Sequence, residues 1–166
     1  MTGSMISESR DKRDGRRARL AELGLVLHGP HPPHHPLLPV VVHQGVAHVS
    51  GQLPRVEGRI TCLGRLGVEV DVAEAAAAAE ICALNALAVL EQALGSLDRI
   101  EQFLRVTGFV ASAPDFAEHP AVIDGASRVF HLVFGEAGRH VRSAIGVASL
   151  PRGAAVEIEL SVAVAP

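Results

Sequence analysis

The sequence predicts an α+β domain in which two helices cover one face of a mixed five-stranded sheet. Three observations carry that prediction. A capped segment rich in alanine and leucine (71–95) reads as one helix, and a second amphipathic segment (120–135) reads as another. The third is the last strand (156–164), which alternates apolar and polar residues without a break. The resulting order is strand, strand, helix, strand, helix, strand, strand. Two helices cannot cover both faces of five strands, so they form one layer and leave the other face to a partner or to water. At 166 residues the chain can bury one full core.

Taken from the N-terminus, residues 1–20 carry Arg10, Lys12, Arg13, Arg16, Arg17 and Arg19 against Glu8, Asp11 and Asp14. With few apolar residues, 1–19 is expected to be a disordered basic arm or an expression leader. Residues 20–39 form a lead-in that ends in HGPHPPHHPLLP (28–39), too rich in proline for a helix or a central strand. The ordered domain is expected over 40–166. Val40–Val42 and Val46–Val49 flank Gln44-Gly45 as a hairpin, and residues 50–54 close its second strand. Residues 55–67 lack periodicity and read as loop.

Asp71 and Glu74 make a capping box and Gly95 a C-terminal stop. Between them Ile81, Leu84, Leu87, Leu90 and Leu94 form one apolar stripe, leaving Glu80, Asn85, Glu91 and Gln92 for exposed positions. Residues 99–111 read as a long strand with Leu104, Val106 and Val110 on one face and Arg105, Thr107 and Phe109 on the other. Pro120 suits the first position of the second helix, whose buried stripe is Val122, Ala126, Val129 and Val133 and whose end is Gly135. A strand over 142–148 follows, then the alternating last strand. It turns Val156, Ile158, Leu160, Val162 and Val164 inward and Glu157, Glu159 and Ser161 outward.

Composition excludes several function classes. The chain has no tyrosine or tryptophan and five phenylalanines, so stacking platforms for single-stranded nucleic acid are not expected. Net charge is -3, and because the first twenty residues are basic the remainder is acidic, which argues against tight phosphate-backbone binding. Leu20–Leu27 is broken by Glu22 and Gly24 and makes no signal peptide, and no apolar run is expected to reach the ~20 residues that span a bilayer. Cys62 and Cys82 form neither a disulfide framework nor a metal spacing, which fits a reducing cytoplasm.

Few residues carry chemistry by pattern. His28, His31, His34 and His35 sit among prolines, without an acidic partner or helical spacing, and read as a solvated linker rather than a metal site. Cys82 lies mid-helix and, with Cys62, reads as packing rather than as a nucleophile. Arg142 and Glu157 stand near the starts of two strands which, if adjacent, would point them at one cleft. The arginine fork matches a carboxylate, and a glutamate can orient or deprotonate water. On pattern alone the plainer reading is an exposed ion pair, and Glu159 is as good an acid as Glu157.

A resemblance adds to this reading. HVSGQLP (48–54), ALNALAVLEQALGSLDRI (83–100), GFVASAPDF (108–116), VIDGAS (122–127) and above all RSAIGVASLPRGAAVEIE (142–159) resemble the YjgF or RidA-like family of reactive-intermediate deaminases over residues 40–164. The resemblance implies a chorismate-mutase-like fold assembled as a homotrimer with clefts between subunits, which would cover the open sheet face. It implies hydrolysis of short-lived 2-imino acids of the 2-aminoacrylate type to 2-keto acids and ammonia, with no cofactor and no metal, in the cytoplasm. By position, Arg142 matches the arginine that binds the substrate carboxylate, and Glu157 matches the acid that positions water. Gly51 and Ala144 match positions whose backbone contacts substrate or water, with alanine where cysteine is common. Asp124 lies near a position where relatives carry asparagine. Some relatives are described as ribonucleases that inhibit translation. One departure bears on substrate orientation and turnover: the tyrosine of active relatives falls on Leu37 by an ungapped count.

Overall fold

The computed structural model describes residues 15–29, 32 and 36–166. Strands β1 (Val40–His43), β2 (Val46–Gln52), β5 (Ile100–Ala111), β6 (Val141–Val147) and β7 (Val156–Val164) form one mixed sheet in the order β1-β2-β7-β5-β6. Only β5 and β6 run parallel; every other neighbouring pair is antiparallel. A separate hairpin of β3 (Arg55–Val56) and β4 (Arg59–Ile60) occupies part of the stretch expected to be loop. It forms because Glu57 and Gly58 both take left-handed φ, 48° and 79°, as a tight two-residue turn requires. Gln44 and Gly45 do the same between β1 and β2.

Helices α2 (Val72–Leu94) and α3 (His119–Phe134) pack side by side on one face of this sheet, as the element order predicts. Asp71 caps α2 by accepting the Glu74 amide at 2.8 Å, and Gly95 closes it in the left-handed conformation. The alanines of α2 let the two helices approach closely, and at the crossing Gly125 sits against the Ala76 backbone with no room for a Cβ. Phe103 of β5 stacks on Phe130 at 4.5 Å and meets Phe134 edge-on at 4.9 Å, so three of the five phenylalanines bind α3 to the sheet.

Asn85, expected on the surface of α2, is only 1% exposed and donates from Nδ2 to Leu53 O and Arg55 O at 3.0 and 2.9 Å. It ties the chain leaving β2 to the helix, sharing the Leu53 carbonyl with the Arg55 amide. α2 also corrects the expectation that no segment reaches membrane-spanning length. By length and composition it does, with mean hydropathy 1.6 over an 18-residue window, but its apolar side chains lie in the core against the sheet and α3.

Two further expectations change. The register of β5 against β7 slips between Phe103 and Arg105, so Phe103 turns inward and Leu104 outward (37% exposed), where unbroken alternation had put Leu104 inside. The expected arm over 1–19 is helical from residue 15: α1 (Gly15–Glu22) buries Leu20 to 2% exposure and lays Arg16 over the Phe134 ring at 4.9 Å. Arg16 Nη1 and Arg19 Nε donate to Val133 O and Leu132 O, at 3.1 and 3.2 Å, where the last carbonyls of α3 lack helical partners. Leu23, Leu25 and Leu27 continue this packing, so the core extends ahead of Val40.

Candidate functional site

The sheet order separates Arg142 and Glu157, which would share a cleft only if their strands were adjacent. β5 lies between β6 and β7, with Arg142 opposite Val106 and Glu157 opposite Phe109. Two strand spacings across and three residues along put their Cα atoms about 14 Å apart. They also face opposite ways: Arg142 shares the face of buried Val106 and reaches α3, whereas Glu157 alternates with the buried Val156 and Ile158 and turns to the open face. One chain alone therefore does not bring them into a common cleft.

Glu157 sits in a cavity of about 280 Å³ lined by Leu37, Ser50, Gly51, Arg55 and Arg152 among others. β2 bulges here: Val49 pairs with Leu160 and Gln52 with Ile158, so two residues, Ser50 and Gly51, stand opposite one. The bulge presses the Gly51 backbone onto the Glu157 carboxyl so closely that a Cβ would overlap it. Burial, and secondarily the charge of Glu159, raise the Glu157 pKa above its ordinary 4.5. The cavity thus joins Gly51, Glu157 and Leu37, three positions drawn from separate parts of the sequence. Arg55 and Arg152 were not anticipated, and Arg152 takes a left-handed φ of 59° in the turn before β7.

The second group lies where β6 meets α3. Arg142 Nη1 donates to Asp124 Oδ1 at 2.8 Å and to Ser127 Oγ at 3.1 Å, and Nη2 donates to Pro120 O at 3.4 Å. The guanidinium side chain is 22% exposed against 69% for Asp124, so the arginine is held and the aspartate is the movable partner. Ala144, two residues on, shares the face of Arg142 and packs partly buried against the core.

Ser127 and His140 complete this group and were missed from sequence. His140 Nε2 lies 2.9 Å from Ser127 Oγ, and Nδ1 lies 2.7 Å from Gly138 O. Spacing could have flagged both: Ser127 is one helical turn from Asp124, and His140 is two residues from Arg142 along an extended segment. Burial lowers the His140 pKa from 6.5, with the Arg142 charge adding to the effect against the Gly138 hydrogen bond.

The cysteines are both buried and free. Burial, then Glu74 and Asp71, push the Cys62 thiol up to about 11. The Cys82 thiol is likewise raised by burial and then by Glu157. Neither is a thiolate at neutral pH. His28 is described, while His31, His34 and His35 lie outside the described residues. Among the described residues no three histidine, cysteine, aspartate or glutamate side chains cluster in a way that could hold a metal ion.

Fold and site together define a mixed-sheet α+β domain with one face open and two polar pockets at opposite faces. Residues 34–160 match the sequence profile described as "YjgF/chorismate_mutase-like, putative endoribonuclease", and the chain belongs to that family. It is 47% identical over 113 residues to protein TCP17 of Trypanosoma cruzi, covering 68% of this chain and 71% of that protein. Among solved structures it is similar to protein Atu1372 of Agrobacterium tumefaciens, described as of unknown function. That likeness has 43% identity and a TM-score of 0.87, over 95% of this chain and 98% of the other. A Shewanella oneidensis protein given the same endoribonuclease label matches at 33% identity and a TM-score of 0.86, over 90% and 99% of the two chains.

Proposed function

We propose that this protein hydrolyses reactive 2-imino acids of the 2-aminoacrylate type to 2-keto acids and ammonia, in the cytoplasm. It does so as a homotrimer whose clefts take Arg142 from one subunit and Glu157 from the next. The observation that carries the reading is Glu157, a half-buried carboxyl with a raised pKa, packed on the Gly51 backbone in a small cavity. Membership of the YjgF family supports it. The opposite facing of Arg142 and Glu157 within one chain is what a cleft between subunits would require.

The substrate carboxylate displaces Asp124 from Arg142, because a bidentate fork prefers a ligand that can approach both nitrogens. Protonation of the imine nitrogen makes C2 electrophilic. Water held by the Glu157 carboxylate attacks C2 and gives up a proton, and the resulting amino alcohol collapses with loss of ammonia and formation of the keto group. Clamp and oriented water supply the positioning, so an activated imine needs no metal or organic cofactor. The raised pKa of Glu157 makes it a stronger base than an ordinary glutamate once ionised. The backbone at Gly51 and Ala144 contacts water and substrate, and Leu37 leaves the substrate without a phenol to orient it.

The test is keto-acid release from freshly generated 2-iminobutyrate. Arg142→Ala and Glu157→Gln should each lower kcat/KM by about 10²–10³-fold. In the wild type the acid limb of the pH profile should lie above the range of an unperturbed glutamate, because the ionised form is required. No release above buffer, with 2-oxobutyrate still bound in calorimetry, would instead make this a binding trimer that keeps the clamp without turnover. The family description and the name of the Shewanella relative favour a second reading, RNA cleavage. Loss of a labelled RNA under the same conditions, abolished by Glu157→Gln, would select it.

A further inference from the structure

The hydrogen bonds at His140 leave little freedom in their direction. Gly138 O can only accept, so His140 Nδ1 carries a hydrogen whatever the ring's charge, and only Nε2 titrates. With Nε2 unprotonated, Ser127 must donate its hydroxyl hydrogen there, while Ser127 Oγ accepts from Arg142 Nη1 at 3.1 Å. The serine hydrogen is then turned away from the clamp. With Nε2 protonated, it donates to Ser127 Oγ, and the serine hydrogen is free to point into the hollow of about 390 Å³ that Ser127, His131, Arg139, His140 and Arg142 line.

We propose that Ser127 and His140 make the Arg142 clamp a proton-coupled carboxylate site: a small carboxylate binds together with a proton taken up at His140 Nε2, and the released Ser127 hydroxyl donates to the bound anion. This rests on the reading that Arg142 holds a carboxylate. The arginines around the ring are already paired within the chain. On β6, Arg142 disfavours a protonated His140, and its Nη1 donates both to Asp124 of α3 and to Ser127. On α3, His131 lines the same hollow, and Arg128 is paired with Glu80 of α2 at 2.8 Å. In the turn before β6, Arg139 pairs with Glu136 at 3.2 Å. The aromatic rings that meet it among the described residues are Phe103 and Phe130, with centroids at 6.5 and 5.9 Å. An incoming carboxylate takes the place of Asp124 at Arg142 and leaves the charge there nearly unchanged, so the coupling comes from the Ser127 hydroxyl, which can donate to the anion only when His140 Nε2 is protonated. By linkage, lower pH tightens anion binding and bound anion holds the proton.

The experiment is calorimetric titration of the full chain with 2-oxobutyrate, ionised throughout pH 5.5–8, in two buffers of different ionisation enthalpy. Wild type should bind about tenfold more tightly at pH 5.5 than at pH 8, a change within the usual span of coupling between neighbouring sites. Binding near pH 7 should take up protons from the buffer. His140→Gln should lose the proton uptake and flatten the pH dependence, and Arg142→Ala should lose binding at every pH. Histidine NMR of the wild type is the second measurement, and needs no variant: the His140 titration should move to higher pH on saturation with 2-oxobutyrate. Binding that is independent of pH, or a His140 titration unmoved by ligand, overturns the proposal and leaves the clamp standing. Absence of binding by the wild type overturns both, and retained binding by Arg142→Ala overturns the clamp.

Discussion

Glu157 owes its chemistry to the β2 bulge, whose Gly51 backbone packs against its carboxyl. Ser50 and Gly51 bring backbone where a side chain would otherwise lie, and the enclosed carboxyl is harder to ionise than it is in water. The consequence for stability has a definite sign. In the folded chain Glu157 holds its proton to higher pH than in the unfolded chain, so folding is favoured below the ordinary carboxylate range and loses that advantage as pH rises through the raised value. Glu157→Gln removes the cost of burying the charge. It should therefore raise Tm at pH 7.5 while leaving Tm at pH 4 nearly unchanged, a pattern that calorimetry at the two pH values reads directly. The choice between Glu157 and Glu159 was not legible in pattern, because both alternate outward on β7. The difference is the β2 bulge, which two residues in a Ser-Gly sequence do not announce.

Among the elements, α2 and β7 were readable because each keeps one period from end to end, 3.6 residues with both caps in α2 and two residues in β7. β5 was not, because its register slips twice against β7, and the slip between Phe103 and Arg105 exchanges the faces of Phe103 and Leu104. Nothing in IEQFLRVTGFVA marks where the extra residue sits. Asn85 was misplaced for another reason: helical spacing says which face a residue occupies, but not that carbonyls from the chain after β2 pack against that face. The contact between α2 and α3 rests on Gly125, whose missing Cβ admits the Ala76 backbone. Gly125→Ala should cost about 1–3 kcal/mol as the helices separate, read as a lowered denaturant midpoint.

At the scale of the molecule, the fold class could be reached from the order of elements, but the order of strands could not. β7 is last in sequence and lies between β2 and β5, a long-range pairing that local patterns do not encode. That placement is what parts Arg142 from Glu157, and it makes assembly a condition of the proposed chemistry. Light scattering should give three times the chain mass of 17.4 kDa. A monomer that still turns over 2-iminobutyrate would remove the shared cleft.

α1 changes the electrostatic character of the N-terminal end. Arg16 and Arg19 are engaged with the final carbonyls of α3, and Arg17 reaches Glu91 at 3.4 Å. Counterion release, the main source of polyanion affinity, needs cations that are free to exchange small ions for phosphates. These three already have partners within the chain, so a polyelectrolyte would have to undock the helix to recruit them. The basic stretch that reads in sequence as a disordered arm or a leader is, from residue 15 onward, a clasp on the end of α3.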